Sequence, residues 1–212
     1  QSKLKLVCWF RAVRFLVVFC HPSEDSFSAA LFRLTCEVLR KSGHEVKAID
    51  LYREGFNPTM SRDEWDSYLE NTSKNILKLE SHVDSLCWAN GLILIFPTWM
   101  YGPPAMLKGW LERVWLPGVA FEVAPGKKKI ARGKLKHIRM FSVITSSGSP
   151  RWWLWYIGNP AKSMLFRGYK ILFHPNCRLK WFQLYDMNHS TSQDRENFKK
   201  KVSKFFLKKT KF

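Results

Sequence analysis

Several protein classes are excluded by what this chain does not contain. No stretch approaches the ~18 uninterrupted apolar residues of a membrane span, and Arg11 cuts the short run Leu6–Phe10 far below a secretory core. The five cysteines are widely spaced and include no CxxC pair, so neither a disulfide framework nor a thiolate metal knot is indicated. The six histidines show no HxxxH or HExxH spacing, which argues against a zinc site. There is no Walker loop and no GxGxxG, and no internal repeat. Acidic residues are scarce, 17 against 35 Lys and Arg, and the net charge of +18 favours anionic partners or a plainly solvated basic surface. Free thiols in apolar contexts predict a cytoplasmic protein.

What is present is the alternation of an α/β protein. A chain of 212 residues suits one well-buried domain over 13–212, with residues 1–12 open to being an N-terminal extension. Apolar runs predict strands at about 13–20, at Val46–Ile49, at Leu92–Phe96, at Ile138–Thr145 and at Cys177–Leu184. Helices are predicted over Phe27–Lys41, Ser73–Ala89, from Pro103 onward, over Ala161–Phe173 and over Thr191–Lys208. Pro103 and Pro104 suit a first helical turn. Residues 53–72 and the basic segment Ala124–Lys136 read as loops. Strands alternating with helices imply a doubly wound, five-stranded parallel sheet with helices on both faces.

Three strand-exit loops then fall at one sheet edge, where such folds bind ligands. The loop His21–Ser28 offers Ser23, Ser26 and Ser28 at a helix start, as a phosphate site or simply as an N-cap. The loop Pro97-Thr98-Trp99-Met100-Tyr101-Gly102 supplies flat aromatic surfaces, as core or as a ring-binding wall. The loop Thr145-Ser146-Ser147-Gly148-Ser149 is small and hydroxyl-rich, so backbone can approach a ring edge. Together the three describe a flavin site.

At these residues the chain resembles the NAD(P)H:quinone oxidoreductases of the flavodoxin-like fold. The resemblance runs from about Phe15 to the last helix and is strongest over Pro97–Val114. His21, Ser26, Phe27 and Ser28 match the family's phosphate and ribityl loop, and Asp50-Leu51-Tyr52 its end of strand two. Thr145–Gly148 is similar to the loop that holds the polar edge of the flavin ring, and Arg195 matches a position near the ADP part in FAD-using members. The resemblance implies a flavin-bound homodimer, with FAD favoured over FMN. NAD(P)H would reduce the flavin and leave, and a quinone would take its place.

The chain also departs from that pattern. Trp153 and Asn159 stand where well-studied members carry a Tyr and a His beside the flavin. Tyr156, or backbone donors with Arg151, would then handle the charge of the reduced ring. The Trp-rich stretch at 152–155 reads as a lid, a dimer contact or a basic patch touching anionic membrane. An alternative function is a flavin-binding ancillary subunit of a membrane transport protein, with little turnover of its own. Nucleic acid is disfavoured as a partner, since the basic loop 127–139 and the Lys-rich tail belong to no recognised nucleic-acid module.

Overall fold

The computed structural model describes residues 12–123 and 131–207. The N-terminal extension expected over 1–12 (all but residue 12), the first half of the basic loop expected over 124–136 and the expected end of the last helix at Lys208 therefore lie outside the described residues.

Five parallel strands form the central sheet: β1 (Arg14–Phe19), β2 (Glu45–Asp50), β3 (Gly91–Pro97), β6 (Met140–Ser146) and β7 (Arg178–Leu184), in the order β2-β1-β3-β6-β7. β4 (Phe121–Glu122) and β5 (Arg132–Gly133) make a separate antiparallel ribbon. The helices are α1 (Phe27–Lys41), α2 (Arg62–Asp66), α3 (Thr72–Lys78), α4 (Glu80–Trp88), α5 (Ala105–Val114), α6 (Arg151–Tyr156), α7 (Pro160–Ser163) and α8 (Ser192–Leu207).

Alternation along the strands explains the three layers. In β1, Phe15, Val17 and Phe19 join a core with α1 and α8, whereas Leu16 and Val18 join the opposite core with α4 and α5. The middle strands β3 and β6 are buried on both faces, so their sequences are apolar without a period. β2 lies at an edge and carries exposed Glu45, Lys47 and Ala48. The chain leaves β1 toward β2 on one side and reaches β3 on the other. The direction of winding reverses there, which opens a crevice at the carboxyl ends of β1 and β3.

Several expectations need correction. The stretch 53–72 is not wholly irregular: Ser61 and Glu64 form a reciprocal capping box that starts α2. The single helix expected over Ser73–Ala89 breaks at Leu79, whose φ of −126° is not helical. The helix expected over Ala161–Phe173 is instead α7, a π-helical turn over Met164–Gly168 and a 3-10 turn over Lys170–Leu172. Part of the loop at 124–136 is packed rather than exposed, with Leu135 fully buried and Gly133 against the backbone of Ile171 and Leu172. The Trp-rich insertion is helix α6. Pro103 and Pro104 precede α5 rather than occupy its first turn, and Pro104 is its N-cap.

α5 carries the second half of the aromatic motif, and two contacts fix it. Gly109 sits so close to residue 58 that an added Cβ would lie 2.2 Å from the Pro58 carbonyl oxygen. Arg113 donates to the Asn57 carbonyl and to the buried carboxylate of Glu64, and lies 5.4 Å over the Phe56 ring. Burial alone would push the Glu64 carboxyl up. The Ser61 amide and the Arg113 guanidinium outweigh it and hold the carboxyl below its ordinary value of 4.5.

Two outcomes follow. Gly109→Ala lowers stability in urea titration by about 1–3 kcal/mol through overpacking, although Ala is the better helix former by about 1 kcal/mol. A carboxyl whose pKa is depressed on folding contributes stability that is present above its unfolded value and lost as pH falls through the folded one. The stability gap between the wild type and Glu64→Gln is therefore widest above pH 5 and narrows as pH drops below about 4.5.

Candidate functional site

The crevice is built around one tight turn. Trp99 and Gly102 exchange both backbone hydrogen bonds at 3.0 Å, and the two residues between them, Met100 and Tyr101, have φ of 47° and 65°. Two left-handed residues closed this way make a type I′ turn, which normally demands Asn or Gly. A side chain there costs roughly 1–2 kcal/mol per residue, and such strain concentrates at functional sites. The turn holds three large side chains at the crevice mouth: Trp99 is 43% exposed, Tyr101 39% and Met100 93%.

Each neighbouring loop is tied to this turn. Thr98 donates its amide and its hydroxyl to the Ser146 carbonyl, both at 2.8 Å, which locks the end of β3 to the end of β6. The Thr98 hydroxyl is thus engaged within the protein. His21 lies 6.0 Å from the Trp99 ring, and its Nδ1 accepts from the Ser23 amide at 2.9 Å, so Nε2 is the nitrogen left to donate. Ser26 caps α1 by accepting from the Ala29 amide at 3.1 Å. No acidic residue lies in the first turn of α1, and the orphan amides and dipole of that end favour an anion. Ser28 is buried and Phe27 packs toward Phe198, so the serine nearest solvent is Ser23.

The third loop is buried up to Ser147 and opens at Gly148. Ser147 donates its amide to the Leu184 carbonyl and its hydroxyl to the Ser149 carbonyl, while Met187 donates to the Ser147 carbonyl. A Cβ on Gly148 would stand 3.1 Å from the Asn188 amide nitrogen, so a larger residue there would have to displace that side chain by a few tenths of an ångström. Thr145 and Ser146 are buried at the end of β6. Pro97 ends β3, paired with Ser146.

Trp153 and Tyr101 meet across the crevice. The Trp153 indole Nε1 donates to the Tyr101 hydroxyl at 3.2 Å, and the Ala161 amide donates to the Tyr101 carbonyl at 3.1 Å. An indole N–H can only donate, so the Tyr101 oxygen is the acceptor and its own O–H remains free to donate elsewhere. Tyr156 lies 5.6 Å from the Trp153 ring but is 72% exposed, on the outer face. Asn159 serves a structural task. It adopts a left-handed backbone (φ 43°) and caps α7 by accepting from the Lys162 amide. Arg195 stands apart from this group, its guanidinium bonded to the hydroxyl and carbonyl of Ser190 at the start of α8.

Gln183 is a site residue that nothing in the exit loops announces. It is buried on β7 opposite Thr145, and its Oε1 accepts from Trp181 Nε1 at 2.8 Å and from Asn159 Nδ2 at 3.4 Å. Its Nε2 has no partner among the described residues. The one signal was an amide interrupting the apolar run of that strand. Asn188, which limits Gly148, gave no signal at all. Among the described residues, no three His, Cys, Asp or Glu side chains are grouped to hold a metal ion. Burial pushes the Cys20 thiol behind the first loop up to about 12, so it stays a neutral thiol.

With the geometry in place, the chain can be set beside known proteins. It belongs to the family described as flavodoxin-like fold, which it matches over residues 13–205. It is 28% identical over 190 residues to the ribosyldihydronicotinamide dehydrogenase-like protein traD of Penicillium crustosum, covering 77% of this chain and 69% of that one. It is 31% identical over 154 residues to NAD(P)H dehydrogenase [quinone] 1 of Rattus norvegicus, covering 64% of this chain and 54% of that protein. The chain thus spans only about half of the rat relative. A solved structure from Streptococcus mutans superposes with a TM-score of 0.80 at 26% identity, over 92% of this chain and 98% of that one.

The turn generates a direct test. Met100→Gly relieves the strain of positive φ and, after the entropic cost of glycine, raises stability by up to about 1 kcal/mol, whereas Met100→Val, β-branched at positive φ, loses about 1–2 kcal/mol. Thermal unfolding of the two variants reads this difference.

Proposed function

We propose that this chain is an NAD(P)H-dependent oxidoreductase that reduces quinones or related electrophiles through a bound flavin. The observation that carries the reading is the left-handed Trp99–Gly102 turn, tied on one side to the α1 N-terminal loop and on the other to Ser146 and Trp153. The donor set fits a flavin. The α1 N-terminus, with Ser23 and the Nε2 of His21, suits phosphate. Trp99 and Tyr101 offer flat faces for the ring. The Ser147–Gly148 backbone suits its polar edge. The names of the Penicillium and rat relatives support the same chemistry.

A bound flavin would supply two-electron transfer, accepting hydride from NAD(P)H and passing it to a quinone that takes the vacated place. The protein's share is orientation and electrostatics. The amides near Met100 and Tyr101 and that of Gly148 would face developing negative charge in a site where fixed dipoles cost no reorganisation. Tyr101, with its O–H freed by Trp153, is the proton donor to the acceptor oxygen. Trp153 orients that phenol, Asn159 holds the α7 corner behind it, and Tyr156 lies at the rim. We take the flavin as FAD, with Arg195 beside its ADP part, and the working unit as a homodimer.

Under anaerobic titration, the yellow purified protein bleaches with NADPH or NADH and regains colour with a soluble quinone. Tyr101→Phe keeps its flavin while quinone turnover falls about 10–100-fold. Protein that takes up flavin but turns over at background rates would instead favour the ancillary-subunit alternative, and protein that takes up none would overturn the reading.

A further inference from the structure

Helix α6 is inside out. Its Trp152, Trp155 and Tyr156 fall at i, i+3 and i+4, one helical face, and are 67%, 82% and 72% exposed, while Leu154 on the other side is buried. The stretch of sequence that carries this face is charged with one sign. Between Val123 and Tyr185 the sequence has 13 Lys and Arg and no Asp or Glu, so most of the net +18 is concentrated there. Arg151 opens the helix, and Lys162 and Arg167 follow, all exposed and none in an ion pair with a described residue. Exposed Trp and Tyr beside unpaired cations are the chemistry of a surface that rests on a bilayer with anionic headgroups. The rings enter the interface while the cations meet the phosphates.

We propose that the α6 face docks this protein on anionic membrane surface. A second copy is the weaker occupant: a two-fold interface through the same face would bring the cations of both copies together, and the stretch 123–185 that carries the face has no acidic residue to offset them. The placement bears on the crevice, and here the inference rests on the quinone reading above. Trp152 and Tyr156 pack on Trp153 at 5.7 and 5.6 Å, and Trp153 bonds Tyr101. A docked α6 sets the site mouth, with the 93% exposed Met100 beside it, at the interface where long-chain quinones dissolve. The described residues contain no helix long and apolar enough to cross a membrane, so attachment by this face is peripheral.

The test is co-sedimentation of the flavin-loaded protein with vesicles of phosphatidylcholine alone or mixed with phosphatidylglycerol. The expected result is binding to the anionic vesicles that weakens with added salt. Trp152→Ser/Trp155→Ser lowers partitioning by at least about tenfold, and Arg151→Glu weakens it without loss of fold by circular dichroism. Turnover with a soluble short-chain quinone is unchanged in Trp155→Ser alone. No binding to anionic vesicles overturns the proposal, as does binding that the Trp pair does not affect. So does a double variant of half the wild-type mass in solution, which would assign the face to a second copy. Flavin content of the same samples separates the two readings: full flavin without vesicle binding removes the docking alone, and vesicle binding without flavin removes the quinone reading alone.

Discussion

The site depends on a backbone that the side chains do not prefer. Met100 and Tyr101 both occupy the left-handed region, at a combined cost of roughly 2–4 kcal/mol. The surroundings hold them there: the Trp99–Gly102 hydrogen-bond pair, the Thr98 clamp on Ser146 and the two bonds that reach Tyr101 from Trp153 and Ala161. Each of these partners comes from a different element. The turn is therefore where β3, β6, α6 and α7 meet, and a shift in any of them moves the aromatic rings at the mouth.

Support for that turn extends downward into the fold. β3 is buried from Gly91 to Phe96, and α5 follows the turn after only two prolines. α5 is fixed in turn by Gly109 against Pro58 and by Arg113, which gathers Asn57, Glu64 and Phe56. The segment 53–66 thus anchors the helix that carries the motif. A buried ion pair of this kind adds little over an apolar contact but is costly to break, by about 3–5 kcal/mol when one partner is removed.

Much of this was legible in the sequence. Continuous apolar runs marked the buried strands, the α1 boundaries agreed with the structure at both ends, and the exit loops marked the edge where the crevice lies. The failures have local causes. Helical periodicity does not register the break at Leu79, nor the change to π and 3-10 turns after Ser163, because the apolar spacing continues through both. The capping box at Ser61 and Glu64 was readable and passed over among turn formers. Positive φ at Met100 and Tyr101 was not readable, since neither residue type signals it. Gln183 and Asn188 act through contacts between distant segments, which no local pattern encodes. Asn159, expected beside the ring, also has a left-handed backbone and caps α7, which its residue type allows but does not announce.

On the reading proposed above, this sheet edge holds a flavin ring. The most direct measurement is mass spectrometry of the small molecule released when the purified protein is denatured, with its amount counted per chain. One flavin per chain, FAD by the reading given above, is the predicted result. A chain that releases no flavin and takes none up from added FAD or FMN contradicts the claim.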